Sequence, residues 1–387
     1  MKKWFIAVLL LILGIGTNTG FANAETKVGD TITDSTALTF QPSTEKGATE
    51  INAVSTLTDE NDVDYYTFTL DKNGLINFDI QQNPTSEIGV TLYYPNGKEL
   101  ETYYAFKGNE KINLFTQGLP KGKYFFKVYV ESGKGQNLAY NVKGTFYERD
   151  DVELEDNNDY NKANPIKLGK VYTGYTDIGK DSYDYFRFTT DKNGLITVNG
   201  SSSAYVGLQY ALLNSKKEVL ENWAVDPEDD NSLFPISKTG LPAGTYYLVV
   251  KKTDGNYDNE AYHFKVDFKA GENYEKEFND TIKEANSINL NTFYTGILSL
   301  DQDKEFYRFA IAKTKKTSIY ITNPPKTTFT VKVLSSNGKV VKQFTTKKGK
   351  GNIVKLADLN LNKGTYYLDI EYLQGDDMQI PYNIVVK

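Results

Sequence analysis

The chain has 387 residues, 39% hydrophobic and 24% charged, with a net charge of −6. That balance describes globular protein with room for two or three domains. There is no cysteine and one histidine, His263, which excludes disulfides, Cys-ligated zinc, iron–sulfur clusters and thiol nucleophiles, and nearly excludes Ser-His-Asp triads and multi-histidine metal sites. Tyrosine is abundant, at 29 residues beside 21 Phe and two Trp, a bias that favours strands.

In chain order, Lys2 and Lys3 precede an apolar run from Trp4 to Ile15, and Ala22-Asn23-Ala24 supplies a small-x-small cleavage pattern. Residues 1–24 are therefore expected to be a signal peptide. A membrane span would need about 20 apolar residues, and Gly14 and Gly16 close this run sooner. Cleavage after Ala24 moves the charge from −6 to about −8, since two lysines are lost. No later segment is apolar enough to span a bilayer. The expectation is a secreted, extracellular protein of a Gram-positive bacterium, stabilised without disulfides by large cores or bound metal.

Three ordered phrases then recur at one period. Asp64-Tyr65-Tyr66-Thr67-Phe68 returns as Asp184-Tyr185-Phe186-Arg187-Phe188 and as Glu305-Phe306-Tyr307-Arg308-Phe309. Gly118-Leu119-Pro120-Lys121-Gly122 returns as Gly240-Leu241-Pro242-Ala243-Gly244 and, shortened, as Leu361-Asn362-Lys363-Gly364. Between them, Tyr94-Pro95-Asn96-Gly97-Lys98 is matched by Ser335-Ser336-Asn337-Gly338-Lys339 and, in degraded form, by Asn214-Ser215-Lys216-Lys217. A period near 120 residues fits an independent domain rather than a solenoid repeat. Within each period, apolar residues alternate, as in Tyr66, Phe68 and Leu70 or Phe264, Val266 and Phe268, and Asn-Gly and Lys-Gly turns separate the runs. The fold class expected is all-β: three tandem antiparallel β-sandwiches, jelly-roll-like, over residues 25–147, 148–270 and 271–387.

Two repeats open on the same acidic phrase. The second begins Glu153-Leu154-Glu155-Asp156-Asn157-Asn158 and the third Glu275-Lys276-Glu277-Phe278-Asn279-Asp280, with Ala163 and Ala285 further on. Alternate residues of an extended segment share a side, so two carboxylates and an amide oxygen would converge. Such hard oxygen donors suit calcium, which takes six to eight, better than zinc. Asp181 and Asp184 are placed to complete the set. A solvated acidic joint is the alternative.

These phrases together resemble the bacterial pre-peptidase C-terminal domain family, and are similar to the collagen-binding domains of clostridial collagenases. The resemblance covers all three repeats. It implies jelly-roll-like sandwiches accessory to secreted peptidases, often calcium-stabilised and in some members collagen-binding. It also implies ligands. In the second repeat these are Glu153, Glu155, Asn157, Asn158, Asp181, Asp184 and the carbonyl of Tyr185. In the third they are Glu275, Glu277, Asn279, Asp280 and Glu305, with Asp301 or Asp303 in the place of an aspartate that has become Gln302. The first repeat has Glu25, Lys27 and Gly29 at the three donor positions, and about nine extra residues around Ser43 to Ile51; no calcium is expected there.

Other features have two readings. Tyr93, Tyr94, Tyr103 and Tyr104, Tyr246 and Tyr247, and Tyr366, Tyr367 and Tyr372 form a contact face or simply cover the sheets. His263 falls on the polar phase of its strand and is expected to be solvated. Lys347-Lys348-Gly349-Lys350-Gly351 is a turn, and a negative chain gives no case for nucleic acid. Asn279-Asp280-Thr281 matches the glycosylation pattern, whereas Asn83-Pro84-Thr85 carries the forbidden proline. No H-E-x-x-H or G-x-S-x-G is present, so no enzyme is expected, a carboxylate-pair hydrolase being the remaining catalytic option. The leading expectation is a non-catalytic attachment or accessory protein for an extracellular matrix or cell-wall polymer. The alternative is a structural spacer.

Overall fold

The structure is a computed structural model that describes residues 28–387, except 83–84, 109, 134–136, 177–182, 202, 204, 228–231, 256–259, 299–303 and 376–379. The expected signal peptide, Glu25, Lys27, Asn83, Asp181, Asp301, Gln302 and Asp303 lie outside the described residues. Among the described residues all regular structure is strand, and no helix is long and apolar enough to cross a membrane.

The first ten strands are β1 (Thr36–Ala37), β2 (Gln41–Pro42), β3 (Ala48–Leu57), β4 (Val63–Leu70), β5 (Gly74–Gln82), β6 (Glu87–Tyr93), β7 (Glu99–Ala105), β8 (Lys111–Leu119), β9 (Gly122–Ser132) and β10 (Leu138–Glu148). They form two sheets, ordered β1-β4-β9-β6-β7 and β2-β3-β10-β5-β8. The nine-residue excess read around Ser43 to Ile51 becomes an edge hairpin, in which Gln41 pairs with Glu50.

The plan returns in β11 (Asn164–Pro165), β12 (Val171–Tyr175), β13 (Tyr183–Thr190), β14 (Gly194–Gly200), β15 (Leu208–Asn214), β16 (Val219–Val225), β17 (Phe234–Leu241), β18 (Gly244–Lys252) and β19 (Ala261–Ala270). Their sheets run β11-β13-β18-β15-β16 and β12-β19-β14-β17. It returns again in β20 (Asn286–Ser287), β21 (Tyr294–Leu298), β22 (Lys304–Ile311), β23 (Lys315–Asn323), β24 (Thr328–Ser335), β25 (Val340–Thr345), β26 (Asn352–Leu361), β27 (Gly364–Gln374) and β28 (Ile380–Val386), ordered β20-β22-β27-β24-β25 and β21-β28-β23-β26. Apart from the short parallel pairs β1–β4, β11–β13 and β20–β22, the strand pairs named here are antiparallel.

Alternation explains the burial. In β14, Ile196 and Val198 are fully buried while Leu195 and Thr197 are only half-buried, as period-two sterics require. Phe186, Phe188, Tyr210, Leu212, Leu248 and Val250 from one sheet interleave with Ile196, Val198, Tyr262, Phe264 and Val266 from the other. The third sheet pair encloses an equivalent core containing Tyr307, Phe309, Val331, Leu368, Tyr382 and Ile384. Each is therefore a sandwich.

The repeated turns keep one geometry. Gly97 and Gly338 are left-handed, at φ 77° and 80°, and Lys217 takes that conformation at φ 71° where the glycine is missing. Contacts divide the chain into two compact units. One takes residues up to Asp71 with Asn77–Phe115 and Gly122–Phe146; the other takes Lys72–Ile76, Thr116–Lys121 and Tyr147–Lys387.

Candidate metal centre

In the second repeat the acidic opening is drawn out beside β12. Val152 bridges Thr173 in parallel, and the Glu153 N–H donates to the Thr173 carbonyl at 2.8 Å. Leu154, between the two glutamates, is held from the opposite side by Asn164: its N–H donates to Oδ1 at 2.6 Å and its carbonyl accepts from Nδ2 at 2.9 Å. This clamp keeps the segment extended, so Glu153 and Glu155 point the same way. The third repeat does the same with Asn286 and Lys276, at 2.6 and 3.0 Å. Asn164 and Asn286 directly follow the repeated alanines, and the first repeat has Thr36 at that place. The asparagine was the available sequence signal for this clamp.

The strand phrase closes the site. Asn157 accepts the Tyr185 N–H through its backbone carbonyl at 3.0 Å, and Asn279 accepts that of Phe306 at 2.9 Å. Asp184 and Glu305 thereby enter the cluster. Glu153, Glu155 and Asp184 each offer an oxygen within 4.8 Å of the others, as do Glu275, Glu277 and Glu305. The first three are nearly buried, at 3%, 7% and 6% exposure. Three carboxylates packed so closely out of water repel one another unless protons or a cation neutralise them.

Two asparagines add amide oxygens. Asn157 and Asn279 are fully buried, and Oδ1 of each has no hydrogen-bond partner. Asn279 lies against the cluster, its Nδ2 donating to Glu305. Asn158 is half-buried, also with an unpartnered Oδ1, and Tyr185 follows Asp184 into β13. Asp280 is exposed and does not join the carboxylate group. The buried side chain of Asn279 is also no surface for glycosylation.

Buried tyrosines form the floor, which the sequence did not reveal. Tyr262 donates its hydroxyl to Asp184, and Tyr307 donates to Glu275 at 3.1 Å while sharing a bond with Tyr382 at 2.8 Å. Burial, together with the neighbouring carboxylates, holds Tyr262 and Tyr307 well above the usual phenol range, so both stay protonated donors. Backbone donors complete the frame: Tyr175 N–H reaches Glu153 at 2.9 Å and Ile297 N–H reaches Glu275 at 2.6 Å. Gly174 and Gly296 make room for this arrangement, because a Cβ on either would overlap the tyrosine beneath.

The first repeat keeps the backbone contact and one carboxylate but not the asparagine. Gly29 takes the place of Asn157, accepting the Tyr65 N–H at 2.8 Å. Asp64 takes the place of Asp184, bonded to Tyr140. His263 is half-buried rather than solvated, its Nδ1 3.1 Å from the Thr173 hydroxyl, with burial lowering its pKa.

Fold and site thus define a β-sandwich module with an acid-lined entrance, present in more than one copy. Comparison with known proteins finds what the chain resembles. Residues 62–129, in the first repeat, match the bacterial pre-peptidase C-terminal domain. Over 344 residues the chain is 25% identical to the collagenase ColT of Clostridium tetani, covering 83% of this chain and 33% of that one. Over 265 residues it is 25% identical to the collagenase ColA of Clostridium perfringens, covering 64% and 23%. The chain therefore spans a third or less of the length of these relatives. Among solved structures, the pre-peptidase C-terminal domain of a Bacillus anthracis collagenase is 26% identical over 27% of this chain and 95% of that one, at a TM-score of 0.23. One segment of the chain thus matches the pre-peptidase C-terminal domain, and most of its length is similar to parts of two clostridial collagenases.

Proposed function

We propose that the chain is a secreted, non-catalytic attachment protein whose second and third repeats each hold calcium at their entrance. The observation that carries the metal assignment is the buried amide oxygen of Asn279, left without a protein partner in a side chain bonded to Glu305 of a three-carboxylate cluster. The donors are all hard oxygens and include no histidine, a set suited to calcium rather than zinc. Glu153, Glu155, Asn157 and Asp184 would hold one ion, and Glu275, Glu277, Asn279 and Glu305 the other. Bound calcium would neutralise the carboxylates and fix the opening segment to β13 or β22. The first repeat, with Gly29 in place of the asparagine, holds none.

Attachment is assigned to the outer sheet faces. In the second repeat Tyr160, Tyr183, Tyr185 and Tyr247 form one aromatic group, with centroids 4.6 Å apart for Tyr160–Tyr185, 5.5 Å for Tyr160–Tyr247 and 6.4 Å for Tyr183–Tyr185. Lys217 and Lys251 lie over Tyr160 and Tyr183 at 4.3 and 4.9 Å. Such a face offers area, hydroxyls and little entropy loss to a polymer. At the place of Tyr183 and Lys251 the third repeat has Lys304 and Glu371, 2.9 Å apart, with Lys332 2.7 Å from Glu371 and 3.3 Å from Asp369. Both named relatives are collagenases, which makes collagen the first polymer to test and cell-wall material the second.

The test is co-sedimentation of the full chain with collagen fibrils, peptidoglycan or chitin, with calcium or chelator. Retention on one polymer, lost when Tyr183 and Tyr185 are both changed to Ala, is expected. Retention on none refutes attachment, and calcium-driven self-assembly in that case supports the spacer. Release of soluble fragments from any of the polymers by the pure protein refutes the non-catalytic reading.

A further inference from the structure

Each acidic opening also rests on the strand end that carries the preceding Gly-Leu-Pro phrase. Glu155 donates its backbone N–H to the Gly118 carbonyl at 3.0 Å, and Glu277 donates to that of Gly240 at 3.1 Å. The carbonyl oxygens of Glu153 and Glu275 press on the same two glycines, so a Cβ on Gly118 or Gly240 would fall inside them. Neither glycine is left-handed. Only space, not backbone conformation, demands glycine there. All four glutamates and both glycines belong to the second compact unit, which takes in Thr116–Lys121.

The third repeat supplies an internal contrast. Leu195 faces Gly240 across β14 and β17, and Lys316 faces Asn360 across β23 and β26, so the two positions correspond. Gly118 and Gly240 are buried beneath an acidic segment, whereas Asn360 is exposed. Asn360 thus carries an exposed side chain where the other two repeats have a covered glycine.

We infer that Gly118 and Gly240 are positioning residues for the metal centres of the repeats that follow them. The docked backbone lies between the two glutamates of each pair, so the strand end of one repeat sets where those carboxylates stand relative to Asp184 or Glu305. Metal binding and docking are consequently linked: a cation that favours the docked segment tightens the joint, and the joint raises cation affinity by the same factor. This rests on the calcium reading above.

Calorimetric titration of the chelator-stripped full chain with calcium tests it. Wild type is expected to show two sites, and Gly240→Val to weaken one about tenfold or more while sparing the other. The spared centre, built on Glu153, Glu155 and Asp184, lies in the same sandwich as Gly240 and so reports that this sandwich is folded. Gly118→Val should give the mirror result. Two unchanged sites in both variants overturn the inference. If wild type binds no calcium the metal reading fails, and docking is then read from tryptic cleavage at Lys269 and Lys276 in chelator. Faster cleavage in Gly240→Ala than in wild type supports docking, and equal rates overturn it.

Discussion

Asp64 stands where the other repeats keep Asp184 and Glu305, but with Gly29 in place of the amide donor. It is 4% exposed and accepts the Tyr140 hydroxyl. Burial pushes its carboxyl from 3.8 up to about 6, with Asp62 and Asp30 adding repulsion and Tyr140 and Ser55 opposing it. A raised carboxyl means that the folded state binds the proton more tightly than the unfolded chain does. The charge therefore costs stability in full above pH about 6, and the cost disappears as pH falls through 6 to below 4. The shift corresponds to about 3 kcal/mol. Asp64→Asn keeps an acceptor for Tyr140 and places its amide N–H near Ser55. It is expected to stabilise the first repeat by about 3 kcal/mol at pH 8 and by almost nothing at pH 3.5. Hydrogen exchange resolved to Val63–Leu70 measures this without requiring the whole chain to unfold in one step. An unchanged exchange rate at pH 8, or an equal gain at both pH values, would falsify the reasoning.

Other perturbations follow from the same geometry. Chelation should lower the calorimetric transitions of the second and third repeats and spare the first; calcium at 100 times its dissociation constant contributes about 2.7 kcal/mol per site, and a superimposable trace with no bound metal would refute the sites. Glu155→Gln should reduce calcium stoichiometry from two to one by metal analysis, and retention of both ions would remove Glu155 from the ligand set. Gly296→Ala drives a Cβ into the hydroxyls of Tyr307 and Tyr382; a loss of about 3 kcal/mol in urea unfolding is expected, and a loss under 1 would show that the tyrosines yield easily. Lys217→Gly relieves the left-handed strain for a gain of about 1 kcal/mol, less about 0.5 for the lost contact with Tyr160; net destabilisation would mean that the ring contact dominates.

Strand positions were legible in the sequence because alternation at Tyr66, Phe68 and Leu70 is a local signal that the sandwich core then rewards. The glutamate pairs were legible for a similar reason, since an extended segment needs no tertiary information to place Glu153 and Glu155 on one side. Asp184 and Glu305 came from the order of the repeated phrases. The parts that were not legible depend on contacts far apart in sequence. Tyr262 meets Asp184 across 78 positions, and nothing near it distinguishes it from tyrosines that only cover a sheet. Asn164 and Asn286 work by clamping Leu154 and Lys276 ten positions earlier. His263 sits on the polar phase of β19, yet β12 pairs beside it through Thr173, which half-buries it. The tyrosine excess is accounted for in part: Tyr124, Tyr140, Tyr210, Tyr262, Tyr307 and Tyr382 are fully buried, several with their hydroxyls committed to carboxylates or to one another.

The glycine beneath each glutamate pair bears on how such a chain can lengthen. A sandwich copied alone would carry an acidic opening but leave it with no seat unless the sandwich ahead already ends in glycine. The smallest self-consistent cassette therefore runs from a Gly-Leu-Pro strand end through the glutamates that follow it, cutting across two sandwiches. Asn360 stands at the corresponding place of the third sandwich, so an acidic opening grafted behind it would settle only if Asn360 were changed to glycine. A graft and a point substitution would be needed together at that position, a requirement which a sandwich-by-sandwich view of the repeats does not contain.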